Sequence, residues 1–159
     1  MQMVLHGHPE NETREAAGKP AVNGVWLWGG GRDPGTVARR FAAAASRDPL
    51  ARALATRSGA ALIDPPRADA LVAAAAAGDA LAALDDLAGA AQYGDAHGFR
   101  ETLALLERSW FAPLLAALER GRIAGLVIHP LPAPRRIDVT PAALRKFWRR
   151  VKPMAALTA

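Results

Sequence analysis

The strongest periodic pattern lies between Phe99 and Glu119, where Phe99, Leu103, Leu106, Trp110, Leu114 and Leu118 recur three or four residues apart. That spacing predicts an amphipathic helix with one buried stripe. Pro113 interrupts it: proline lacks an amide hydrogen and crowds the carbonyl of Ser109, so a kink or restart is expected there, with Gly121 ending the helix. Near the start of the chain, Val22, Val25, Trp26, Leu27 and Trp28 form a mostly apolar run rich in β-formers. Gly29-Gly30-Gly31 stops it, which predicts a strand covered on both faces that opens into a tight loop. Between these landmarks, Asp48-Pro49 opens a helix to about Arg57 with Gly59 as its stop, and Pro66 to Ala77 reads as another closed by Gly78. Ala60 to Ile63 and Leu126 to Ile128 read as short strands, and Arg136 to Val139 as an edge strand. Gly89 to Gly98 reads as a loop. Asn11 is placed as the cap of a short helix ending at Gly18, with Glu12 and Glu15 in its early turns. Alternating strands and helices predict an α/β sheet with helices packed on it.

Composition narrows this picture. The chain has 159 residues, most simply one domain spanning 1–159 and long enough for a real core. Alanine supplies much of the apolar content but little volume, so the few Trp, Phe, Leu and Ile residues carry the packing. The absence of cysteine excludes disulfides and thiolate metal sites. The opening residues lack the basic and apolar regions of a secretion signal, and no apolar run reaches the length of a membrane span. A cytoplasmic protein without a membrane association is the expectation.

The net charge of +5 draws attention to Arg145, Lys146, Arg149, Arg150 and Lys152, interleaved with Phe147 and Trp148. Phosphate contact plus base stacking is one reading, which makes nucleic-acid binding a third functional class. An amphipathic terminal helix is the preferred one. Thr140-Pro141 supplies a cap and an N1 proline, the cations complement the helix C-terminus, and Leu144, Phe147 and Trp148 share a docking face.

Three constellations are candidates for chemistry. His6 and His8 lie two apart, so on a strand they would share a face and reach one metal; alternatively, one imidazole bonds a backbone carbonyl and fixes the helix entry. Gly29, Gly30 and Gly31 expose backbone amides beside Arg32 and could form an anion nest, although the spacing matches neither the dinucleotide nor the P-loop fingerprint. Asn23 and Arg14 could instead clamp the short helix to the strand. Asp95 and His97 are a weak metal-ligand pair, since neighbours two apart converge only on a loop. No serine sits in a nucleophile elbow.

The pattern H-x-H-P-x-N-x-x-R-E-x-x-G-x-P-x-V-N-x-x-W-L-W-G-G-G, from His6 to Gly31, resembles the RpfE-type bacterial regulatory proteins. Asp48 to Arg52, Gln92 to Asp95, Glu107 to Pro113 and Lys146 to Arg150 extend the resemblance over nearly the whole chain. A looser form is similar to archaeal-type cofactor-independent phosphoglycerate mutases of the alkaline-phosphatase superfamily. The resemblance implies a partial alkaline-phosphatase-like sheet, and it favours strands at Leu81 to Leu84 and within Arg40 to Ser46, where Ala43 to Ala45 prefer helix by propensity. In the family these motifs occupy the second half of a longer protein, so the chain reads as a C-terminal half. Two departures bear on function: the mutases use a nucleophilic serine and two metals, for which this chain offers no matching set, and Trp28 stands where they carry an arginine before the glycine turn.

The expectation is a non-catalytic regulatory or binding domain with no catalytic residues, no resident metal and no cofactor. Its candidate surface is His6, His8, Asn11, Arg14, Asn23, Gly29, Gly30, Gly31 and Arg32, facing a protein partner or a small phosphorylated ligand. An open sheet edge would favour self-association or docking of the missing half. The alternative is a phosphoglycerate mutase or phosphoesterase that needs residues from another chain, with Mn or Zn as its metals.

Overall fold

The computed structural model describes residues 5–25, 30–32, 35–130, 135–146 and 148. The chain forms two compact units, Met1–Gly35 and Thr36–Ala159.

The first unit contains helix α1 (Pro9–Ala16). Its cap is His8, not Asn11: Nδ1 of His8 accepts from the Glu10 amide at 3.2 Å, and Pro9 takes the first helical position. Gly18, at φ 70°, closes the helix as the sequence predicts. Asn11 lies inside α1 and is buried at 5% exposure. Its carboxamide pairs with the backbone of Val22 as a neighbouring strand would, donating to the carbonyl at 2.9 Å and accepting from the amide at 2.7 Å. It also donates to the Leu5 carbonyl at 2.7 Å. The strand expected to start at Val22 is absent over residues 21–25, and Val22 and Val25 are 39% and 52% exposed. A side-chain amide there takes both backbone groups that a ladder would have used. Trp26 to Gly29 lie outside the described residues.

The second unit is α/β. Three parallel strands, β1 (Ala43–Ser46), β2 (Ala61–Ile63) and β3 (Ala80–Ala83), lie in the order β2-β1-β3. Ala43 pairs with Ala61 on one side and with Ala80 on the other. All four residues of β1 are buried, so a central strand covered on both faces overrides the helical propensity of its alanines. Successive side chains serve opposite faces. Ala44 packs with Ala55, Ala60 and Leu62, whereas Ala45 packs with Ala68, Leu71, Val72, Leu106, Trp110, Leu114 and Ala117.

Helix α2 (Pro49–Arg57) joins β1 to β2; Asp48 caps it by accepting from the Ala51 amide at 2.7 Å, and Gly59, at φ 74°, ends it. Helix α3 (Ala68–Ala74) continues into a 3-10 turn, Ala75–Ala77, and Gly78 at φ 141° leads into β3. The region expected to be loop from Gly89 to Gly98 is partly helical: α4 (Ala88–Gln92) occupies it, and α5 (Ala96–Leu106) begins before it ends.

After α5 comes a π-helical segment, Glu107–Phe111, and then α6 (Ala112–Glu119). The disruption predicted from Pro113 therefore takes the form of a widened turn immediately before it. Residues four apart drift by about 40° per step on a regular α-helix of 3.6 residues per turn. A wider π turn takes up that drift, so Leu106, Trp110, Leu114 and Leu118 all remain buried despite their unbroken spacing of four.

Strands β4 (Leu126–Ile128) and β5 (Ile137–Val139) form a separate antiparallel pair. Thr140 caps α7 (Pro141–Leu144), accepting from the Ala143 amide at 3.2 Å. Beyond it, Trp148 is 67% exposed, and Phe147 lies outside the described residues. No helix among the described residues is long and apolar enough to cross a membrane.

Candidate functional site

The connections of the parallel sheet determine where a ligand fits. From β1 the chain runs out to β2 on one side, then crosses back over β1 to reach β3 on the other. The helix that follows β1, α2, packs with Ala44 on one face, whereas the chain leaving β3 leads to α5, whose Leu106 packs with Ala45 on the other, so the two exits part at the carboxyl ends of these strands. Open α/β sheets bind ligands at this kind of switch point.

A cleft of about 270 Å3 lies there. Ser46 and Arg47 come from the end of β1, Ala83, Leu84 and Asp86 from the end of β3, and Pro66 from the segment after β2. The opposite wall is α5 and the π segment, which contribute Thr102, Leu105, Leu106, Ser109 and Trp110. The π turn thus carries two of the lining residues, and such turns frequently occur at functional sites.

The polar groups of the cleft divide into structural and available ones. Ser46 is 2% exposed and fully engaged: its hydroxyl donates to the Ala83 carbonyl at 2.9 Å and accepts from the Asp48 amide at 3.1 Å. It ties β1 to β3 and to the cap of α2. Ser109 donates its proton back to the Leu105 carbonyl at 2.7 Å, leaving its oxygen as an acceptor. Arg47 and Asp86 span the switch point as an ion pair at 3.3 Å, with side chains 73% and 26% exposed. Nearby, Arg52 reaches Asp64 at 2.7 Å and the Ser46 carbonyl at 3.4 Å, bracing the loops after β1 and β2.

The residues singled out in the sequence fall elsewhere. His8, Asn11 and Arg14 do meet in the first unit, but their polar groups serve its own backbone. Nδ1 of His8 caps α1, Asn11 pairs with Val22 and Leu5, and Nε of Arg14 donates to the Pro20 carbonyl at 3.1 Å. The expected imidazole bond is present with reversed polarity, because the ring accepts from an amide instead of donating to a carbonyl. His6 lies on a helical turn, not a strand, so the shared strand face expected of His6 and His8 does not form. Asn23 is exposed, and the clamp assigned to Asn23 and Arg14 is made by Asn11 and Arg14. Gly30, Gly31 and Arg32 are exposed, and neither glycine has the left-handed φ that a backbone nest requires. Gly29 lies outside the described residues.

Asp95 caps α5 by accepting from the Gly98 amide at 2.9 Å, and His97 pairs with Glu101 along the helix at 3.3 Å. Each therefore has a local role, and among the described residues no group of three or more His, Asp or Glu side chains is placed to hold a metal ion. Arg145 and Lys146 are exposed, while Arg149, Arg150 and Lys152 lie outside the described residues.

Two exposed pairs perturb acidity elsewhere. Hydrogen bonding from Arg136 holds the Asp138 carboxyl below its ordinary value, with smaller help from the Arg136 and His129 charges. Arg67 does the same to Asp69. Neither pair lines the cleft.

Arg47 and Asp86 carry no motif, and Ser109 lies within the Glu107 to Pro113 segment of the resemblance without having been singled out. The only signal for the first two is position: Arg47 follows directly on β1, and Asp86 lies three residues past the end of β3. No family model, curated protein or solved structure matches this chain.

Proposed function

We propose that this chain is a non-catalytic binding domain of the RpfE regulatory type, and that its α/β unit holds a small ligand in the cleft between β1 and β3. The observation that carries this reading is the coincidence of a largely apolar crevice with the carboxyl-end switch point of a parallel sheet. The π turn that places Ser109 and Trp110 on its wall adds to it. The non-catalytic part rests on what the cleft side chains are already doing: the buried Ser46 hydroxyl is committed to two backbone groups, and among the described residues no histidine lines the cleft to activate a nucleophile. The regulatory assignment rests on the resemblance running from His6 to Gly31 and through the later motifs. The first unit fits a supporting role better than a binding one, since Asn11 and Arg14 are occupied with its backbone.

Fragment screening by protein-observed NMR tests this. The expected result is that small aromatic or aliphatic fragments shift the amides of Ser46, Arg47, Asp86, Ser109 and Trp110. Fragments that gather instead around Gly30 to Arg32 would relocate the site. Stoichiometric Mn or Zn together with mutase turnover would overturn the non-catalytic reading.

A further inference from the structure

Building on the cleft as the binding site, we infer that its ligand is a small zwitterion, an α-amino acid or close analogue with an apolar side chain. The cleft is apolar inside and charged at one edge: Leu84, Leu106, Pro66 and Trp110 contribute the body, and Arg47 and Asp86 meet across the switch point. Two groups of opposite sign at the rim suit a ligand that itself carries both signs. The guanidinium of Arg47 offers a planar fork of donors to a carboxylate. The Asp86 carboxylate and the Ser109 oxygen, whose proton is committed to Leu105, are acceptors for an ammonium.

The existing ion pair does not stand in the way. A pair with its arginine 73% exposed holds little free energy, so exchanging it for two ligand contacts is inexpensive. A phosphate is disfavoured here, because its double negative charge would meet Asp86 as well as Arg47. Size limits the body. The cleft, at about 270 Å3, exceeds the roughly 150 Å3 cavity that accepts a benzene ring and falls just under the range of drug-sized sites, about 300 Å3 and above. One ring or branched chain on a short charged head matches that volume.

The test uses the whole chain, with inorganic phosphate as a competitor and five organic probes followed by amide shifts in the cleft: phenylalanine, phenylalanine amide, N-acetylphenylalanine, N-acetylphenylalanine amide and indole. These are respectively zwitterionic, cationic, anionic, neutral and a bare ring. Phenylalanine should bind about tenfold or more tighter than either singly charged analogue, the expected size of one lost charged hydrogen bond. Arg47→Ala should abolish its advantage over the cation, and Asp86→Asn its advantage over the anion. Both positions are at the rim, and an unchanged circular-dichroism melt would show that each variant folds. Equal binding of the neutral analogue, or tighter binding of inorganic phosphate at Arg47, would overturn the zwitterion while leaving the cleft as a site. Failure of all five probes, indole included, to shift any cleft amide would overturn the cleft itself.

Discussion

Asn11→Ala is the sharpest test of how the first unit is held together. The Asn11 side chain makes three hydrogen bonds, to the Leu5 carbonyl and to both backbone groups of Val22, while only 5% exposed. Alanine removes all three and leaves an amide and two carbonyls to find water. At a net of roughly 0.5 to 1.5 kcal/mol per bond, the local loss is about 1.5 to 4.5 kcal/mol. That corresponds to a roughly ten- to thousandfold increase in the open population of this segment, if opening is local. The Val22 amide is the natural reporter, because its bonding partner is the Asn11 Oδ1 atom. Residue-resolved hydrogen exchange should show Val22 losing protection by that factor in the variant, with amides of β1 unchanged. Asn11→Asp is the companion: it keeps the acceptor for the Val22 amide but faces two carbonyls with an anion, so it should lose protection as well. Exchange at Val22 within twofold of wild type in both variants would refute the strand-mimic role of Asn11.

Three further outcomes follow from the second unit. Trp110→Ala should destabilise the protein by about 3 to 5 kcal/mol in urea titration, because Trp110 is 6% exposed and bridges the sheet to α3 and α6. Ala45→Leu should cost about 1 to 3 kcal/mol by overpacking, since Ala45 has no exposed surface and sits under both α3 and the π segment. Arg136→Ala should raise the Asp138 carboxyl toward its ordinary value in an NMR titration, because the Arg136 hydrogen bonds are the main cause of its depression. The sign for stability follows: a depressed carboxyl contributes above its unfolded value and loses that contribution as the pH falls through the folded one. The wild-type advantage over Arg136→Ala should therefore vanish in acid; an advantage that grew on acidification would contradict the pairing.

Much of the fold was legible because the chain punctuates its helices with strong local chemistry. Asp48-Pro49 and Thr140-Pro141 each pair a capping side chain with a proline at N1, and Gly59, Gly78 and Gly121 have the positive φ that the turns after them need. His8-Pro9 has the same form, so the true cap of α1 was also readable; Asn11 drew attention away from it as a commoner capping type. The buried stripe from Leu106 to Leu118 was visible as spacing, but the π turn was not, because Pro113 signals a disruption without specifying its form. Ala43 to Ala45 carry a helical propensity that only burial on both faces reverses, and no local signal reports such burial. Val22 is not a strand residue because a single carboxamide eleven residues earlier takes both of its backbone groups. The cleft is a product of topology: Arg47, Asp86 and Ser109 are far apart in sequence and meet only because β3 crosses to the far side of β1.

The most direct measurement of the central claim is a crystal structure of the whole chain soaked with phenylalanine. The account predicts one molecule between β1 and β3, its carboxylate within hydrogen-bonding distance of Arg47, its ammonium at Asp86 and its ring toward Trp110. Ligand density confined to another surface at a concentration that saturates binding in solution, with the Arg47–Asp86 pair intact, would contradict it.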